Sequence, residues 1–101
     1  MNTTTITIIF PGERSFSYER EQTYQDITSV LHGVFAEWNS GSKKECPAFL
    51  NSTCRSLMIN DVVRIADQYF LCMRNGWKAL NEVEAVAAIS GKSHSFDFKN
   101  S

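Results

Sequence analysis

Arg55-Ser-Leu-Met-Ile-Asn-Asp-Val-Val-Arg-Ile-Ala-Asp-Gln-Tyr-Phe-Leu-Cys-Met-Arg-Asn-Gly-Trp-Lys-Ala-Leu80 is the stretch on which the fold turns. Val62 to Ile65 and Tyr69 to Met73 are rich in β-branched, aromatic and large apolar residues, and a polar step at Ala66-Asp67-Gln68 separates them. They read as two strands joined by a tight turn. Tyr69 to Met73 is apolar at successive positions, the pattern of a strand covered on both faces. The densest part of the core is expected there. Asn75-Gly76 is a second turn signal, followed by Trp77 and Leu80.

Upstream, Thr3 to Phe10 is dominated by threonine and isoleucine, a strand composition. Pro11-Gly12-Glu13-Arg14 makes a turn, and Ser15 to Arg20 alternates with Phe16 and Tyr18 on one face. Residues 3–20 therefore read as a β-hairpin. Thr23 is the expected N-cap of the next element. Tyr24, Ile27, Val30, Leu31, Val34, Phe35 and Trp38 then recur at helical spacing, predicting an amphipathic helix to about Asn39. Gly33 interrupts it and offers room for a close neighbour. Pro47 opens a helical turn carrying Phe49 and Leu50.

Downstream, Asn81 and Glu84 form a capping-box pair at the head of another helix, which Gly91 is expected to end. Ser93 to Phe98 alternates and reads as a last edge strand. The order is β-β-α-(short α)-β-β-α-β in one domain spanning residues 1–101. The class is α+β: a mainly antiparallel sheet with two main helices packed on one face. A bare edge at 93–98 predicts a homodimer or strand-addition complex.

A net charge of −1 exerts no general pull on nucleic acid or anionic membrane. Neither a leader pattern nor a spanning apolar stretch is present in the sequence, so a cytoplasmic location is expected. Cys46, Cys54 and Cys72 lack the close spacing of zinc knuckles, and free thiols are expected. His32 and His94 carry no signature of a nucleophile–base pair. No phosphate-binding glycine loop occurs. The expectation is therefore no catalytic residue, no metal and no cofactor. Arg64, Arg74, Trp77 and Lys78 are the candidate interaction residues, because they belong to one hairpin unit. With Tyr69 and Trp77 as stacking platforms they would also suit nucleic acid, the alternative to an unknown protein partner.

Val34-Phe35-Ala36-Glu37-Trp38-Asn39, Pro47-Ala48-Phe49, Arg55 to Val63, Tyr69-Phe70 and Asn75 to Leu80 together resemble the YodL-like domains. The likeness covers about residues 30–80, and Ser56-Leu57-Met58-Ile59-Asn60-Asp61-Val62 is its most specific part. Met58 departs from it, standing where the family usually has serine. The resemblance implies a small accessory domain of phages, plasmids and other mobile elements, with no catalytic residues to carry over. Within the motif, Arg55, Ser56, Leu57, Asp61 and Gly76 are read as structural. Leu57 and Ile59 are expected to point inward, Asp61 to accept backbone amides at the strand entrance, and Ser56 to serve the preceding turn. Gly76 is expected at positive φ, letting Trp77 fold back onto the sheet.

Overall fold

The structure, a computed structural model, describes residues 3–21, 26–52 and 54–90. Strands β1 (Thr3–Phe10) and β2 (Arg14–Glu21) form the opening hairpin. Its Pro11-Gly12 turn is closed by the Glu13 N–H donating to the Phe10 carbonyl at 2.9 Å. Helices α1 (Ile27–Glu37) and α2 (Pro47–Asn51) follow. Then come β3 (Val62–Ile65), β4 (Gln68–Met73), β5 (Gly76–Leu80) and α3 (Glu82–Ile89). The five strands make one antiparallel sheet in the order β2-β1-β3-β4-β5. The α+β class and the antiparallel sheet are as the sequence predicts.

Register sorts the side chains into two faces. Ile6, Ile8 and Phe10 share one face with Val63, Ile65 and Phe70, and α1 and α2 cover it with Leu31, Val34, Trp38 and Phe49. Trp38 is fully buried at the centre of this layer. Phe16, Tyr18 and Phe49 surround it at ring-centroid distances of 5.9, 5.6 and 5.6 Å. Ile9 and Val62 point the other way, into a smaller cluster with Tyr69, Leu71, Leu80, Ala88 and Ile89. So β4 has apolar contacts on both faces, as its composition predicts.

That second cluster corrects one expectation: α3 packs on the face opposite α1. Ala85 and Ala88 are its buried side chains, while Val83 and Val86 are exposed. The small alanines let the helix lie close to the sheet, and the outward valines leave its period-3.6 pattern weak. Gly76–Leu80, expected as a turn leading into a helix, is a fifth strand paired with β4. Two local readings also shift. Asp26 caps α1, accepting from the Ser29 N–H at 2.9 Å, and the proposed Thr23 cap lies outside the described residues. The expected helix end at Gly91 and the 93–98 strand with its dimer contact likewise lie outside them. The Asn81–Glu84 capping box forms with both hydrogen bonds, at 2.9 and 2.8 Å.

The Arg55–Asp61 segment seals one end of the sheet. Asp61 is 2% exposed. Its carboxylate accepts from the Met58 N–H at 2.8 Å and from both terminal nitrogens of Arg55 at 2.7 and 2.9 Å. The strand-entry role is as predicted; the paired arginine is a finding. Arg55 also reaches Glu13 at 3.6 Å and lies over the Phe10 ring at 4.6 Å, tying the first hairpin to β3. Leu57 points inward, whereas Ile59 is exposed, because Ile59-Asn60 is a turn with Asn60 at φ +81° rather than a continued strand. Ser56 serves a distant segment instead of the preceding turn: its Oγ accepts from the Ser40 N–H at 2.9 Å.

Asp61→Ala removes the acceptor of the Met58 N–H and the partner of Arg55, and should lower stability by about 1–3 kcal/mol. Arg55→Ala should cost at least as much as Asp61→Ala, since it leaves the buried carboxylate without its counter-charge, whereas a partly solvated guanidinium that loses Asp61 can be hydrated. Urea unfolding of both single variants and the double variant measures the coupling between them; additive losses would show that the pair contributes nothing as a pair.

Candidate interaction surface

Concavities lie beside both outer strands of the sheet. The larger, of about 560 Å³, lies along β2 and is lined by Tyr18, Arg20, Glu37 and Cys46, among others. Three of its polar groups engage one another. The Tyr18 hydroxyl donates to Glu37 Oε1 at 2.7 Å, and Arg20 Nε meets Glu37 Oε2 at 3.1 Å. Burial, and then the Glu37 carboxylate, push the Tyr18 hydroxyl far above its ordinary value, so it stays a donor. This network fastens β2 to the end of α1.

The smaller hollow, of about 390 Å³, lies between α1 and the β4–β5 turn. His32 and Phe35 come from α1, one turn apart on its outer flank. Cys72, Met73, Arg74, Gly76 and Trp77 come from the hairpin. Gly76 sits at φ +138°, a conformation that favours glycine, and Trp77 folds back over the sheet as predicted. The Trp77 ring meets Phe35 edge-on, with centroids 6.4 Å apart. Phe35 remains 38% exposed and Met73 43%. Met58 and Ile59, 54% and 45% exposed, lie at the same end of the sheet, because the Asn60 N–H donates to the Cys72 carbonyl at 2.8 Å.

The predicted interaction residues separate into two groups. Arg74 and Trp77 share this hollow. Arg64 and Lys78 project from the opposite face of the sheet, as register requires. Arg64 is tied to the Ala66 carbonyl at 2.8 Å and lies over Tyr69. Lys78 meets Glu84 of α3 at 3.3 Å. Sequence reasoning missed Phe35, His32 and Met73 as partners of Trp77. Their only sequence signal was Phe35, placed at the margin of the α1 stripe instead of its centre.

His32 and Cys72 line the same hollow, which brings one histidine near one thiol. Burial, aided by Asp61, pushes the Cys72 thiol up to about 11, so it is protonated at neutral pH. Cys46 is raised by burial too. Cys46, Cys54 and Cys72 are all free thiols. Among the described residues no group of three His, Cys, Asp or Glu side chains gathers to hold a metal, and no described helix is long and apolar enough to cross a membrane. No family model, no curated protein and no solved structure matches this chain.

The raised thiol carries a stability consequence. Between the ordinary cysteine value of about 8.5 and about 11, the folded state holds a proton that the unfolded chain has released. Stability should therefore be full below that window and fall as pH rises through it. Cys72→Ala should flatten the part of the decline below about pH 10, where tyrosine has yet to titrate. Denaturant midpoints from pH 7 to 11 measure it; an unchanged slope in the variant would show that Cys72 ionises freely in the fold.

Proposed function

We propose that this chain is a non-enzymatic interaction module that works in the cytoplasm through protein contacts at the α1–β5 hollow. The observation that carries this reading is the edge-on contact of the exposed Phe35 with Trp77 in a hollow that Met73 also borders, with Met58 and Ile59 exposed at the same end of the sheet. Singly exposed apolar residues are ordinary, but several at one end of a sheet beside a partly exposed aromatic pair match the composition of a protein-binding patch. Arg74 at its rim supplies charge for orientation. The resemblance of residues 30–80 to YodL-like domains adds a setting: an accessory protein of a mobile genetic element that engages a host or element-encoded protein.

A nucleic-acid interface on Arg64, Arg74 and Lys78 is the alternative. Their division between two faces weighs against it. Phosphate binding would need several cations on one surface.

Immobilised protein should retain a specific protein from a lysate of the cells that make it, after nuclease treatment and in moderate salt. Phe35→Ser and Met73→Ser, both at exposed positions, should reduce that retention at least tenfold with the fold intact by circular dichroism. Retention that vanishes with nuclease, or binding to DNA or RNA that falls by orders of magnitude between about 50 and 200 mM salt, would favour the alternative. Retention unaffected by both serine variants would move the contact away from this hollow.

A further inference from the structure

The β5 strand borders the hollow and is the outermost strand of the sheet; among the described residues nothing pairs with its far side. Which of its backbone groups face outward follows from β4. The Cys72 N–H donates to the Asp61 carbonyl at 2.9 Å, and the Cys72 carbonyl accepts from the Asn60 N–H at 2.8 Å. Both Cys72 groups are thus turned toward the β3 side. Cys72 stands opposite Trp77 in the β4–β5 register, so this pair exchanges no hydrogen bond. The N–H and C=O of Trp77 then point away from β4, and those of Ala79, two residues on, do the same.

We infer that the β5 edge is a strand-addition site for an extended segment of a partner protein in which apolar and acidic residues alternate. This rests on the reading of the hollow as a protein-binding surface and specifies how it binds. Trp77 and Ala79 offer two donors and two acceptors to an incoming strand. The added strand's side chains beside Trp77 and Ala79 fall on the α1 face, where Phe35 and the Trp77 ring supply apolar contact. Its intervening side chains fall beside Lys78 on the other face, and Arg74 stands at the turn. No acidic side chain among the described residues lines either hollow beside this hairpin, so carboxylates are the matching charge. Glu84 holds Lys78 from α3, and a cross-strand carboxylate would share that ammonium. The β2 edge is a poorer acceptor: Arg14, Glu19, Arg20 and Glu21 stud it with both signs of charge, a pattern that discourages pairing.

The test uses a fluorescein-labelled octapeptide alternating glutamate with valine and phenylalanine, and a counterpart with lysine for every glutamate. The intact chain should bind the acidic peptide at least tenfold more tightly by anisotropy. Amide hydrogen exchange at Trp77 and Ala79 should slow at least tenfold on binding. Ala79→Pro removes one outward N–H without touching the β4–β5 ladder and should abolish binding. Arg74→Glu, at an exposed turn position, should reverse the preference between the two peptides. Should Ala79→Pro not fold, the exchange pattern in the native chain decides. Binding of the acidic peptide with Trp77 and Ala79 unprotected would overturn strand addition while leaving the hollow a protein-binding surface. Failure of both peptides to bind would also overturn it, and the serine variants of Phe35 and Met73 in the lysate experiment would then judge the broader reading independently.

Discussion

The carboxylate of Asp61 holds the molecule together where its parts meet. Burying a charge is costly unless it is paired and hydrogen-bonded, and Asp61 is both. Arg55 brings it the counter-charge and carries on to Glu13 and Phe10 in the first hairpin. The Met58 N–H bond tightens the turn that enters β3, and the Asp61 carbonyl accepts from Cys72 in β4. One residue thereby sets the spacing between the opening hairpin, the irregular 54–61 segment and the central strands. The same anchoring fixes Asn60 against Cys72, which leaves Met58 and Ile59 outside. The exposed apolar cluster is in this sense a by-product of how the sheet end is sealed.

The two edges of the sheet divide the work. On the β2 side, Tyr18, Arg20 and Glu37 satisfy one another and bind the hairpin to α1. On the β5 side, the strand is short, carries one charge and borders Phe35 and Trp77. The first edge is bound up in polar contacts with α1; the second is bordered by exposed apolar side chains. The two concavities thus differ in chemical character more than in size.

Much of the local structure was legible in the chain because its signals are local. The Pro11-Gly12 turn, the Asn81–Glu84 box, the Pro47 helix start and the Asn75-Gly76 turn each depend on a few adjacent residues. What stayed hidden depends on residues far apart in sequence. Gly-Trp-Lys-Ala-Leu has no clean alternation and becomes a strand only by pairing with β4. The face taken by α3 follows from Ala85 and Ala88, whose small side chains give a faint apolar signal beside Val83 and Val86. Arg74, Gly76 and Trp77 could be named as a site because they are neighbours in the chain. Phe35 could not be joined to them until α1 was docked, some forty residues away in sequence.

Gly33 has an effect that reaches past packing. A methyl group at this position would meet the guanidinium tip of Arg20, which would have to move aside from where it lies over the helix. An isolated helix with glycine at its middle is weak by roughly 1 kcal/mol relative to alanine. In the fold, Arg20 of β2 reaches across that position to Glu37 at the end of α1, a contact that offsets part of the weakness. A helix short of local strength draws much of its stability from such contacts with the hairpin that precedes it in the chain.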